Sequence, residues 1–299
     1  MNQTRTIENE RLRITVKDTG AELCSIYDKK EKREIIWQAD PAYWKRHAPV
    51  LFPNVGKTYP GNVRYGGKTY PTSQHGFARD KEFSCVKNDN TEIIHQLTAD
   101  SDTQKVYPFS FRLSVLHHLE DNRLTVRWLV ENADGKTMYF TIGGHPAFQV
   151  PAENCRESTE QKDYYLTFSE DKEKITYILL EPESGTALPE TEYTLELEKG
   201  RCPVGTGRFD QDALIFDHGQ IEQAGIAFPD GTPYVTLSCE GFLNFGIWQA
   251  PGAPFICLEP WWGRCDNYGF DGTVEEKPGI IAIKPGETFE AEYAIIIGE

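Results

Sequence analysis

The stretch Phe109-Ser110-Phe111-Arg112-Leu113-Ser114-Val115 alternates apolar and polar side chains without a break. After Glu120-Asp121-Asn122, the pattern resumes: Leu124, Val126, Trp128 and Val130 interleave with Arg123, Thr125 and Arg127. A period of two puts the apolar residues of a strand on one face, and a charged triplet between two such runs is a turn. Asp134-Gly135 marks a further hairpin, and Met138, Phe140 and Ile142 follow at the same period. The segment therefore predicts a β-meander.

Working outward, the same signature recurs. Leu12-Arg13-Ile14-Thr15-Val16 alternates before the Asp18-Thr19-Gly20 turn, and residues 221–299 are short strands separated by Asp230-Gly231, Glu240-Gly241 and Pro285-Gly286. Asp40-Pro41 has the form of an N-cap followed by a first-turn proline and predicts a short helix over 40–46. No long amphipathic helix, repeat or linker interrupts the 299 residues. The expectation is an all-β chain, one domain over 1–299, built as two large packed antiparallel sheets.

The composition excludes several classes of function. Acidic residues number 46 against 31 basic ones, a net charge of −15, which repels nucleic acid and anionic membrane. No apolar run approaches the roughly 20 residues of a membrane span, and Met1 to Thr6 lacks the apolar core of a signal peptide. Seven cysteines, odd in number and without a C-x-x-C pair, fit free thiols in a reducing cytoplasm. There is no H-E-x-x-H, no phosphate loop and no G-x-S-x-G elbow, and no metal is expected.

The remaining residues form an acid–base set. In Cys257-Leu258-Glu259-Pro260-Trp261-Trp262 a carboxylate follows an apolar run and precedes two indoles. A strand ending at Pro260 would hold Glu259 at a sheet edge beside rings suited to the C–H faces of a sugar. His145, in Gly143-Gly144-His145-Pro146, sits where glycines let a ligand approach, and a histidine there can pass a proton near neutral pH. Arg46, His75 and Asp212 are candidate positioning groups. His117 and His118 are adjacent on a strand, face opposite ways and read as structural.

Four patches then carry a resemblance: Arg46 to Gly56, His75-Gly76-Phe77-Ala78-Arg79, Gly143 to Phe148, and Leu258-Glu259-Pro260-Trp261. Together they resemble the aldose 1-epimerase (galactose mutarotase-like) superfamily, in its LacX-like branch. The resemblance implies a large β-supersandwich with a sugar lying across one sheet. It implies Glu259 as general base on the anomeric hydroxyl and His145 as general acid on the ring oxygen, with His75 and Asp212 holding hydroxyls. Arg46 matches an arginine before the Phe-Pro patch, and Trp261 supplies a ring for the sugar. No cofactor is required for such ring opening and closure. On this reading acid and base stand on opposite sides of the acetal carbon. Asp212 would raise the pKa of His145, so the rate would titrate in the ordinary histidine range.

Two departures leave the sugar open. Gly-Gly-His-Pro replaces the Asn-His-Ser form of galactose mutarotases, and Lys57 stands where many relatives carry arginine. Arg79 and Arg46 would suit a hexose 6-phosphate. The same residues also admit a sugar-binding or sensor protein without turnover, or a glycosidase using two carboxylates. The expected partner is a small sugar, bound by a cytoplasmic monomer or homodimer.

Overall fold

The structure, a computed structural model, describes residues 3–154 and 160–298. The central hairpin forms as its alternation predicts. Phe111–Glu120 pairs antiparallel with Arg123–Asn132, from Phe111 opposite Asn132 to Glu120 opposite Arg123. Asp121 at the tip takes φ 48°, a left-handed turn position that aspartate tolerates. Phe111, Leu113 and Val115 are buried, as are Leu124, Val126, Trp128 and Val130. His117 is buried and His118 exposed, as expected of neighbours on a strand.

This hairpin lies within a nine-stranded antiparallel sheet. Its order is Arg201–Pro203, Tyr165–Thr167, Gln223–Ala227, Pro233–Ser238, Thr288–Ile297, Arg123–Asn132, Phe111–Glu120, Glu92–Thr98 and Ser84–Asn88. The meander does not continue into residues 138–142. Thr288–Ile297 takes the next place beside Arg123–Asn132, and Met138–Phe140 pairs with Ile281–Ile283. Asn132 explains the departure: its buried amide donates to the Lys136 and Ile283 carbonyls, both at 2.9 Å, and steers the chain off the sheet. Met138, Phe140 and Ile142 are still all buried.

The second large sheet has six strands, ordered Leu214–Phe216, Asn244–Trp248, Phe255–Trp262, Ile142–Gly144 and Val50–Leu51, with Ala147–Gln149 also on Phe255–Trp262. One side of Phe255–Trp262 packs toward the nine-stranded sheet: Ile256 and Leu258 join a buried cluster with Val126, Trp128, Tyr293 and Ile295. Trp262 meets Phe289 edge to face at 5.4 Å between ring centres. The other side carries Cys257, Glu259 and Trp261.

A four-stranded sheet, Thr4–Glu8 to Arg33–Glu34, completes the main β-structure. Among the described residues the only α-helix is Thr103–Val106. The helix expected at 40–46 is a single turn: the N–H groups of Tyr43 and Trp44 both reach the Asp40 carbonyl at 3.0 Å, and no second turn follows. The architecture is an all-β antiparallel sandwich.

Candidate active site

Glu259 does not stand at a sheet edge. Its strand runs through Pro260 to Trp262 and is paired on both sides. The Leu258 N–H donates to the Pro146 carbonyl at 3.2 Å, so Pro260, two residues on, turns its missing donor to the same side. There the neighbouring strand is itself interrupted at His145-Pro146. A proline is tolerated in mid-sheet because no donor is needed from it.

The same interruption brings His145 and Glu259 together. Gly143 faces Trp261 before it, and Ala147 faces Cys257 after it. The register is therefore unchanged across the kink and sets His145 opposite Glu259. Their side chains meet, with His145 Nε2 3.3 Å from Glu259 Oε2. Both are buried, at 6% and 1% exposure, and both line a cleft of about 380 Å³. The expected placement on opposite sides of an acetal carbon gives way to a cross-strand pair on one face. Such a pair can still serve an acetal, because both oxygens concerned hang from the same carbon.

Glycine makes the room. A Cβ on Gly143 would lie 2.4 Å from Trp261 Cδ1, and one on Gly246 would lie 2.5 Å from its Cη2. The Trp261 indole thus spreads over both neighbouring strands and walls the cleft beside Glu259. Gly143→Ala is expected to displace this ring and cost about 1–3 kcal/mol, read by chemical denaturation together with a shift of tryptophan emission.

Two further tryptophans hold His145. Trp44 stacks on the imidazole with centres 4.8 Å apart and 27° between planes, and Trp248 meets it edge on at 5.7 Å. Sequence reasoning misses both. Trp248 is recoverable from its strand, since it pairs with Cys257; Trp44 lies in the single turn where a helix was expected.

His75 takes φ 65° and Gly76 φ 69°, a double left-handed turn pressed against Phe52. Any Cβ on Gly76 would sit 2.2 Å from the Phe52 carbonyl oxygen, which is why glycine is required. The Gly56 N–H donates to His75 Nδ1 at 3.1 Å, so the neutral ring carries its proton on Nε2. Burial first, then the neighbouring His145, lowers its pKa well below the usual value and keeps it a neutral donor.

Arg79 lines the cleft and donates from Nη2 to the Gln74 carbonyl. Its pKa is lowered to about 10, by burial first and then by Arg46. Asp212, with φ 75°, and Lys57 also line the cleft. Arg46 does not: its Nη2 donates to Asp80 Oδ1 at 2.8 Å, and it acts on the site only through its charge.

Burial decides the protonation of the central pair. Desolvation pushes Glu259 well above the carboxylate range, and the Asp212 charge adds to this. Desolvation also lowers the His145 pKa to about 3. The expectation that Asp212 would raise the histidine is therefore corrected: loss of water outweighs it, and Asp212 acts on Glu259 instead. Burial thus favours a neutral imidazole beside a protonated carboxyl over the separated charges. Glu259 Oε2 has only the 3.3 Å approach of His145 Nε2, and Trp261 lies close enough to ease the Glu259 shift by hydrogen bonding, so the buried polar groups of the wall are weakly satisfied by the protein. Weakly satisfied groups at a cleft wall mark where a polar ligand belongs.

Comparison with known proteins gives the family and the fold. A sequence model of the family Aldose 1-epimerase matches residues 3–295. Protein LacX (plasmid) of Lactococcus lactis subsp. lactis is 29% identical over 299 residues, covering 97% of this chain and 98% of that one. The structure of a galactose mutarotase related enzyme from Lactobacillus acidophilus superposes with a TM-score of 0.92 at 32% identity, covering 99% and 98% of the two chains. A galactose mutarotase-like protein from Lactobacillus casei ATCC 334 gives 0.88 at 30% identity, covering 99% of this chain and all of the other. The chain belongs to the aldose 1-epimerase family of sugar-isomerising enzymes, in its LacX-like branch.

Proposed function

We propose that the protein is a mutarotase that interconverts the α and β anomers of a free hexose in the cytoplasm. The observation that carries this reading is the buried His145–Glu259 contact facing a sugar-sized cleft. Glu259 takes the proton of the anomeric hydroxyl while His145 protonates the ring oxygen. The C1–O5 bond breaks, the aldehyde forms, rotation about C1–C2 presents its other face, and closure returns both protons. His75 Nε2–H, Asp212 and Lys57 hold hydroxyls, and Trp261 covers an apolar sugar face.

The pair carries one proton throughout. With the proton on the histidine it matches the ring-closed sugar; with the proton on the carboxyl it matches the open chain. Burial by itself favours the second arrangement. Activity requires the singly protonated pair, so the rate is tied to the pair's two macroscopic pKa values. The pair gains a second proton only near the lowered histidine value of about 3 and loses its only proton only above the raised value of Glu259. The expected rate is therefore flat through the ordinary histidine range and falls on its alkaline side as the pair loses its proton. A sigmoid step centred on the ordinary histidine pKa would count against this assignment.

The direct test is anomer exchange by NMR magnetisation transfer on galactose, glucose and glucose 6-phosphate. Exchange above buffer on a free hexose supports the reading. Sugar-dependent line broadening without exchange would make the protein a binder. A second reading, a hexose 6-phosphate substrate, is favoured by one observation. Lys57 and Gln74 separate the cleft from a hollow of about 390 Å³ that is also lined by Thr72, Ser73 and Ser184. A cation beside hydroxyl donors suits a phosphate, and preferential exchange on glucose 6-phosphate would select it.

A further inference from the structure

We propose that His145, Cys257 and Glu259 form a binding site for a divalent metal ion of the zinc class, and that the bound ion shuts the site down. Cys257 precedes Glu259 by two residues on one strand, so their side chains leave the same face. One ligand atom from each of the three residues lies within 4.8 Å of the other two, and all three residues are buried.

The donor set is chemically apt. Thiolate, imidazole and carboxylate are the ligands zinc takes, at about 2.3, 2.0–2.1 and 2.0–2.2 Å. A tetrahedron of those radii has edges of about 3.3–3.7 Å. The His145–Glu259 edge, at 3.3 Å, is already of that length, and closing the thiol edges from within 4.8 Å takes at most about 1.5 Å of movement. His145 and Glu259 line the cleft while Cys257 lies fully buried behind them, so the fourth position opens to the cleft. Trp44 and Trp248 hold the ring by packing, but among the described residues no carboxylate or carbonyl of another residue takes His145 Nδ1 as the second-shell partner a permanent zinc ligand has. That marks a site for exchangeable, inhibitory metal rather than a resident cofactor. The ion engages the histidine lone pair and the carboxylate, the two groups that would handle the sugar's protons. Metal and sugar therefore exclude each other.

The binding half stands on the geometry alone. The inhibition half rests on the roles proposed above for Glu259 and His145. The experiment separates them. Cobalt(II) is titrated into the purified protein and followed by its thiolate-to-metal charge-transfer absorption, with zinc(II) as competitor; anomer exchange is measured in parallel with and without zinc. The wild type is expected to show the band and to lose exchange reversibly, with recovery on adding a chelator. Cys257→Ala and Cys257→Ser should lose the band and bind zinc more weakly by at least the roughly 10–100-fold that follows loss of a mere outer-shell partner. Each should also resist inhibition relative to its own zinc-free rate. Cys85→Ser, which removes a half-exposed thiol, should behave as the wild type. A band that persists in both Cys257 variants, or none in the wild type, overturns the site. A band that depends on Cys257 while exchange is untouched by zinc overturns the inhibition. If no sugar is exchanged at all, the cobalt spectra still decide the binding.

Discussion

Glu259→Gln is expected to lower enzyme-catalysed anomer exchange by roughly 10²–10⁴-fold, the usual worth of a positioned general base, and at the same time to make the protein more stable above the carboxylate pH range. The two effects have one cause. The amide keeps the shape of the side chain but cannot take a proton from the anomeric hydroxyl. In the wild type, burial and Asp212 hold the Glu259 pKa well above its ordinary value. The folded protein therefore keeps a proton there that the unfolded chain has already released. The folded state binds more protons than the unfolded one, so stability falls with rising pH at up to about 1.4 kcal/mol per unit, from the ordinary carboxylate pKa to the raised one. Glutamine has no such dependence. Thermal melts of both proteins should coincide near pH 4 and diverge as the pH rises above the ordinary carboxylate pKa, the variant melting higher. A variant that melts lower at pH 8, or one that keeps its exchange rate, contradicts the role given to Glu259.

Lys277→Met is expected to have the largest effect on stability, a loss of about 3–5 kcal/mol, because it strands a buried carboxylate. Lys277 and Asp266 are 6% and 3% exposed, and Nζ donates to Asp266 Oδ1. Asp266 ties several segments together. Its Oδ2 accepts the Tyr59 N–H at 2.8 Å, its backbone N–H donates to Lys57, and its carbonyl accepts from Ala187. Removing the cation alone leaves the charge in a dry place beside residues that frame the cleft. Changing Asp266→Asn in the same protein should restore much of the loss, since the charge is then gone as well. Urea denaturation of the two single variants and the double variant forms the cycle. A single-variant loss below about 1 kcal/mol would mean that solvent reaches the pair, as it does an exposed one.

How much of this is legible in the sequence depends on how local the determinant is. The 111–132 hairpin is readable because its alternation and turn lie within one stretch of chain. The patches holding His75, His145 and Glu259 are readable as chemistry, and the structure gathers all three around one cleft. The place of Glu259 within its sheet is misread because proline ordinarily argues for an edge, and the excusing break lies on another strand, at Pro146. The path of Met138–Phe140 turns on the amide of Asn132 reaching Ile283, a contact between distant residues that no periodicity encodes. The protonation of the pair escapes for the same reason: neighbouring charges can be enumerated from sequence, but the loss of water that outweighs them is a property of the packed core. Cys257 escapes as a partner of His145 because metal motifs are read along one chain segment, whereas these ligands face one another across two strands.

The ladder that aligns His145 with Glu259 also divides the site by how freely it can change. The acid–base pair, its glycine neighbours and Trp261 are fixed by a register in which every position is occupied to contact distance. Lys57, His75 and Asp212 come instead from turns, with His75 buried beneath them. A library confined to residues 57, 74 and 210–211 would vary the choice of sugar while leaving the ladder that aligns His145 with Glu259 intact. A library across 257–261 would mostly yield inactive or unfolded chains. On the proposed roles, the fold keeps its reaction and its substrate range on separate segments, free to diverge at different rates.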